Sequence, residues 1–191
     1  MTTHNTDSTP FASPSELEAW LRAHHSTKTE LWVRLYKKAT GIPSVTWEDC
    51  VVAALCWGWI DAQKRSMDEQ AFLQRLTPRR SGSNWSKINC GHAERLIAEG
   101  RMQPAGLVHV HAAKADGRWE RAYAGSADMV FPDEFVALLQ ATPGAEAAFA
   151  ALKRAEQYSI YHRIHTAKRP ETRAKHIAAA VAALAEGLPK T

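Results

Sequence analysis

No apolar run in this chain of 191 residues approaches the roughly 18 residues needed to cross a bilayer, so no helical membrane span is expected. The opening stretch, MTTHNTDSTP, carries neither a basic patch nor an apolar segment and does not read as a secretory signal. The expectation is a cytoplasmic protein without integral membrane contact, whose residues 1–10 form a polar, mobile tail. Cysteine is scarce. Cys50, Cys56 and Cys90 form no CxxC pair and are odd in number, which argues against a disulfide framework or a zinc site. Cys50 and Cys56 lie in an apolar segment and are read as small hydrophobes. The P-loop, GxGxxG, GxSxG, the kinase set and HExxH are all missing. No cofactor and no metal are therefore expected. There is no internal repeat and no low-complexity linker.

What is present suits a soluble globular protein. With 45% hydrophobic and 23% charged residues, the chain can bury one sizeable core, or at most two small ones. The formal charge of +4 permits an anionic partner without requiring one. Its distribution is uneven. Arg75, Arg79, Arg80, Lys87, Arg95 and Arg101 outnumber Glu94 and Glu99 in one stretch. Lys153, Arg154, Arg163, Lys168, Arg169, Arg173 and Lys175 outnumber Glu156 and Glu171 in another. If the two clusters face each other they form an anion site. Arginine forks suit phosphate or carboxylate, and Ser83, Ser86 and Asn89 add neutral donors. Solvated helix faces and ordinary ion pairs explain the same residues equally well.

Local signals define the elements. Ser13-Pro14-Ser15-Glu16 reads as a capping box opening a helix, with Leu17, Trp20 and Leu21 on its apolar face. ELWVRLYKK (30–38) alternates as a strand. Thr46 with Asp49 caps a second, nearly all-apolar helix, and Val45 can staple onto Cys50. Gly58 ends it. WIDAQKRS and QAFLQRLTP read as a hairpin around Met67-Asp68-Glu69. From there the period is helical. Asn89 is the expected cap of the next helix, Pro104 opens another, and 118–131 is irregular. Pro132, Pro143 and Pro170 each stand at an expected first helical position. The expected fold is α+β: a small antiparallel sheet with helices over 11–88, a helical half over 89–187, and one shared core over 11–187.

The stretch TPRRSGSNWSKIN (77–89) joins the two halves. Trp85 beside Arg79 and Arg80 has the stacking-plus-charge mix of single-strand binders, yet a core anchor pinning the loop is the better reading. His162 and His165 can share a helix face, but no carboxylate at suitable spacing joins them; His109 and His111 point apart. Asp61, among aromatics after a buried helix, needs a partner. A pair with Arg79 that fixes the hairpin against the loop competes with a general base in a pocket.

Five stretches in order carry a family resemblance: ALCWGWIDAQKRSMDE, FLQRLTPRRSGSNWSKIN, RLIAEGRMQPAGL, AKADGRW and TAKRPETRAKHI. The chain resembles the YdeI/OmpD-associated family, labelled bacteriocin-protection, from about Phe11 to about Gly187. The motif positions include Gly58, Trp59, Ile60, Asp61, Pro78, Arg79, Ser83, Trp85, Ser86, Asn89, Gly100, Arg101, Met102, Lys168, Arg169, Pro170, Thr172 and Arg173. Two positions depart from the family pattern: Ala62, where Gly follows the WID triplet, and Cys90, where a basic residue is common. The resemblance implies a soluble bacterial protein linked to tolerance of antimicrobial peptides, and it implies no reaction.

The resulting expectation is a non-enzymatic stress-tolerance protein that binds an anionic small molecule or an acidic protein surface. Its ligand-binding set is Asp61, Arg79, Ser83, Trp85, Ser86, Asn89, Arg101, Lys168 and Arg173. The alternative is an enzyme on a phosphorylated or carboxylated molecule with Asp61 as acid or base. Nucleic acid ranks below both, because the net charge is modest and stacking aromatics are few. The sequence sets no oligomeric state.

Overall fold

A computed structural model describes residues 7–187. The fold is α+β, and its contacts divide it into two compact units. The chain up to Trp85, with Asn89–Arg121, forms the first; Ser86–Ile88 and the chain from Ala122 onward form the second.

The first unit holds a four-stranded sheet in the order β1-β2-β4-β3. Its strands are β1 (Ser8–Pro10), β2 (Leu31–Tyr36), β3 (Trp59–Ser66) and β4 (Ala71–Pro78). Three of them are antiparallel, as expected. The fourth corrects the all-antiparallel expectation: β1 runs parallel to β2, with Ser8 opposite Trp32. Ser8–Pro10 therefore belongs to the sheet edge rather than to a mobile tail, while residues 1–6 lie outside the described residues. Nothing in STP announces a strand; its pairing with β2 supplies one.

Opposite residues of an antiparallel pair share a face. Leu31 pairs with Leu76 and Val33 with Gln74, so this face carries the core. There Leu31, Val33, Leu35 and Leu76 pack with Leu17 and Leu21 of α1 (Pro14–His24) and with Cys50, Ala53 and Ala54 of α2 (Trp47–Cys56). Asp61 lies opposite Leu76 on the same face. Between Asp61 and Lys64 the register slips, so the bulge falls on Ala62 and Gln63, and the simple alternation of Asp61 with Gln63 is broken. Ala62 adopts this geometry without positive φ.

The helix starts follow their caps. The hydroxyl of Ser13 accepts the Glu16 N–H at 3.4 Å, while Glu16 reaches one residue further back than expected, to the Ala12 N–H at 2.9 Å. Thr46 and Asp49 form the full reciprocal box. This unit also holds α4 (Pro104–Ala115), opened by its proline. In α3 (Lys87–Ala98), Lys87 and Ile88 belong to the second unit and Asn89 onward to the first. The helix starts at Lys87, so Asn89 sits inside it instead of capping it. The cause is a long-range pairing: Ser86 bridges Tyr123, and the Lys87 N–H donates to the Tyr123 carbonyl at 2.8 Å.

The second unit is helical, built from α5 (Asp133–Ala141), α6 (Ala145–Ala150), α7 (Arg154–His165) and α8 (Pro170–Ala185). Phe135, Leu139, Ile164, Ile177 and Val181 form its core. Pro132 is the cap of α5 rather than its first residue. Pro143 opens nothing: Gly144, at φ +78, turns the chain and α6 begins after it.

Candidate functional site around the 77–89 loop

The loop begins where β4 ends. The Arg79 N–H donates to the Gly58 carbonyl at 2.9 Å, tying the loop to the WGW turn. Gly58 is at φ +72, and a Cβ placed there would stand 2.5 Å from the Ala105 carbonyl oxygen and 3.1 Å from the His109 ring. Glycine is required on both counts: the left-handed backbone and the close approach of α4. Gly58 thereby brings His109 beside the root of the loop.

Two guanidiniums hold the loop. Arg79 is only 4% exposed; its guanidinium carbon lies 3.8 Å from the Trp85 ring centre, and Nη1 donates to the Asn84 carbonyl at 3.1 Å. Arg118 donates from Nη1 to the Ser83 carbonyl at 2.8 Å and is itself oriented by the Asp116 carboxylate, 2.8 Å from Nε. Trp85 is buried and packs on Trp119 at 4.9 Å, and Lys114 stands over that second indole. Trp85 is thus a core anchor, as its size suggests, and is not available for stacking on a base. Arg79 and Arg80, adjacent in sequence, part company: Arg79 turns inward and Arg80 is exposed. His109 is held below the ordinary imidazole range, first by burial and then by the positive charge of Arg79 and Arg118.

Asp61 is half-buried and accepts the Trp47 indole N–H at 3.3 Å. Burial raises its carboxyl above the usual range, opposed by the Trp47 hydrogen bond and, at longer range, by Arg79. The hydrogen-bond partner expected of this carboxylate is therefore an indole on α2, with Arg79 acting only through its field.

The other expected residues fall elsewhere. Arg101 pairs with Glu18 at 2.9 Å and Glu99 at 3.4 Å. Asn89 is partly buried within α3. Ser86, Lys168 and Arg173 belong to the second unit. There Ser86 is buried, Lys168 is exposed on the bend before α8, and Arg173 pairs with Glu134 at 3.6 Å. In the same unit His162 and His165 lie among tyrosines, with His162 edge-on to Tyr123 at 4.7 Å and His165 stacked on Tyr161 at 5.2 Å. Among the described residues no group of three or more His, Cys, Asp or Glu is placed to hold a metal ion, and no helix is long and apolar enough to cross a membrane. Sequence reasoning missed His109, Arg118 and Trp119 as loop partners. Arg118 and Trp119 lie in the family motif AKADGRW, but only the fold shows that Arg118 reaches Ser83.

The candidate site joins one loop, one tight turn and two anchoring arginines. The chain belongs to a family described as a domain of unknown function (DUF8412), which matches residues 9–109, more than half of it. Residues 128–187 match the family described as Bacteriocin-protection, YdeI or OmpD-Associated. The resemblance seen in the sequence thus holds over the C-terminal part, while the WGWID and TPRRSGSNW motifs lie in the stretch matched by the other family. No curated protein and no solved structure matches the chain.

Proposed function

We propose that the chain is a cytoplasmic, non-enzymatic tolerance protein whose first unit binds an anion, a phosphate or a carboxylate, beside Arg79, His109 and Arg118. The tolerance reading rests on the bacteriocin-protection match over 128–187. The observation that carries the anion is the convergence of two guanidiniums on one loop, at the Ser83 and Asn84 carbonyls, with the His109 ring in their common field. Positive charge gathered at one place draws an anion, and a planar guanidinium suits its oxygens. The test is an NMR titration of His109 in the full chain with inorganic phosphate or acetate. Bound anion offsets the arginine field, so the imidazole pKa rises, and the rise shrinks with added salt. Arg118→Ala removes the response. An imidazole that neither anion moves, together with an unchanged melting temperature, defeats the reading.

A second reading has one observation in its favour: burial raises the Asp61 carboxyl beside the exposed Trp47, which suits an acid or base on a phosphorylated or carboxylated molecule. It requires Asp61→Asn to abolish turnover on a panel of phosphate esters and carboxylic esters while leaving the fold intact. Absence of turnover in the parent protein removes it.

A further inference from the structure

A second feature of the first unit is independent of the anion reading. A cleft of about 340 Å³ opens where the starts of α1 and α2 meet the end of α3. That volume is at the lower end of the roughly 300–1,000 Å³ typical of small-molecule sites. Its charges are sorted by wall. The α1 and α2 side carries Glu18, Glu48 and Asp49; the α3 side carries Arg95 and the following Arg101; Pro14 and Val52 supply an apolar lining.

The pairing inside the cleft is unequal. Arg101 is held by two carboxylates, Glu18 at 2.9 Å and Glu99 at 3.4 Å. Arg95 has a long contact of 3.6 Å to the same Glu99 that Arg101 engages, both partners being exposed, and its Nη2 lies 3.2 Å from His92 Nδ1 one helical turn back. Such an exposed i,i+4 pair is weak and exchanges readily with solvent. On the facing wall, Asp49 commits Oδ2 to the Thr46 cap. Glu48 is exposed, and its carboxylate has no hydrogen bond or ion pair among the described residues. An exposed guanidinium, held only by surface contacts among the described residues, thus shares a space of ligand size with the unengaged Glu48 carboxylate.

We propose that this cleft binds a small zwitterion of the amino-acid or dipeptide class. The ligand ammonium lies against Glu48 and Asp49, its carboxylate takes the Arg95 fork, and Glu99 remains with Arg101. Pro14 and Val52 cover the carbon stem. No covalent step is involved.

The test uses the full chain, with glycine and glycylglycine as probes and acetate and methylammonium as single-charge controls, followed by amide chemical shifts and calorimetry. Saturable binding of a zwitterion is expected, at least about tenfold tighter than either control. Glu48→Gln and Arg95→Gln are surface changes that leave the fold intact, and each weakens binding by about tenfold or more. Arg118→Ala leaves it unchanged, which separates this cleft from the proposed anion site. Absence of saturable binding by both zwitterions overturns the proposal. So does acetate binding as tightly as glycine, or binding unaffected by both cleft variants.

Discussion

Replacing Gly58 by Ala isolates what the site asks of the backbone, because Gly41 provides an internal control. Both glycines are left-handed, at φ +72 and φ +67. A Cβ at Gly41 meets nothing within 4 Å, whereas at Gly58 it meets the Ala105 backbone carbonyl at 2.5 Å. Gly41→Ala therefore costs the backbone penalty alone, about 1–2 kcal/mol. Gly58→Ala adds overpacking against a main-chain atom that cannot rotate away, about 1–3 kcal/mol more. The expected totals are about 1–2 and about 2–5 kcal/mol. Urea unfolding followed by tryptophan fluorescence is the assay, and it reports on the right part of the molecule: all seven tryptophans, from Trp20 to Trp119, belong to the first unit. Gly58→Ala should also displace the His109 ring, visible as a shift of its imidazole resonances while Gly41→Ala leaves them in place. Losses equal within about 0.5 kcal/mol would refute the close approach of α4 to the WGW turn.

Other consequences follow from the same contacts. Asp61→Asn keeps an acceptor for the Trp47 indole but removes a charge that burial disfavours. Because the folded carboxyl is raised, the parent gains stability as pH falls through that carboxyl's range. The variant should therefore be the more stable near neutrality and lose its advantage in acid, read from urea midpoints against pH. Trp47→Phe deletes the one side-chain hydrogen bond holding the Asp61 pKa down and should raise it further, measured by carboxyl carbon NMR. His109 is depressed in the fold, so its stabilising share is full above about 6.5, the ordinary imidazole value, and is lost as pH falls below it. Arg118→Ala should move its titration back toward the ordinary range. Burial raises the thiols of Cys50 to about 12 and of Cys56 and Cys90 to about 11, so none should react with a maleimide until the first unit unfolds.

Much of the architecture is legible in local chemistry. Thr46 with Asp49, Pro104, Pro170 and Gly58 mark boundaries through rules that act within one helical turn, and the structure follows them. The strand Leu31–Tyr36 and the hairpin from Trp59 to Pro78 form where the sequence signals them, although the bulge at Ala62 and Gln63 breaks the two-residue period within the hairpin. The misplaced boundaries depend on distant partners. Ser8–Pro10 is a strand because β2 offers its edge, and α3 starts at Lys87 because Tyr123 accepts its N–H. The candidate site divides the same way. Composition marks Arg79 and Trp85 as unusual for a loop, and the size of Trp85 makes it an anchor. Neither composition nor period says that Arg79 turns inward while Arg80 does not, that Trp47 reaches Asp61, or that Arg118 reaches Ser83.

The sequence by itself determined the secondary-structure grammar and the α+β class, because caps, glycine turns and hydrophobic periods are short-range and need only neighbours along the chain. Tertiary structure alone decided which charges meet. A guanidinium spends its donors on whatever carbonyl or ring the fold brings within about 3 Å, and that choice is made by packing between segments far apart in sequence. TPRRSGSNWSKIN reads as a connection in its own sequence, and becomes a candidate site only through the nearby His109 and Arg118.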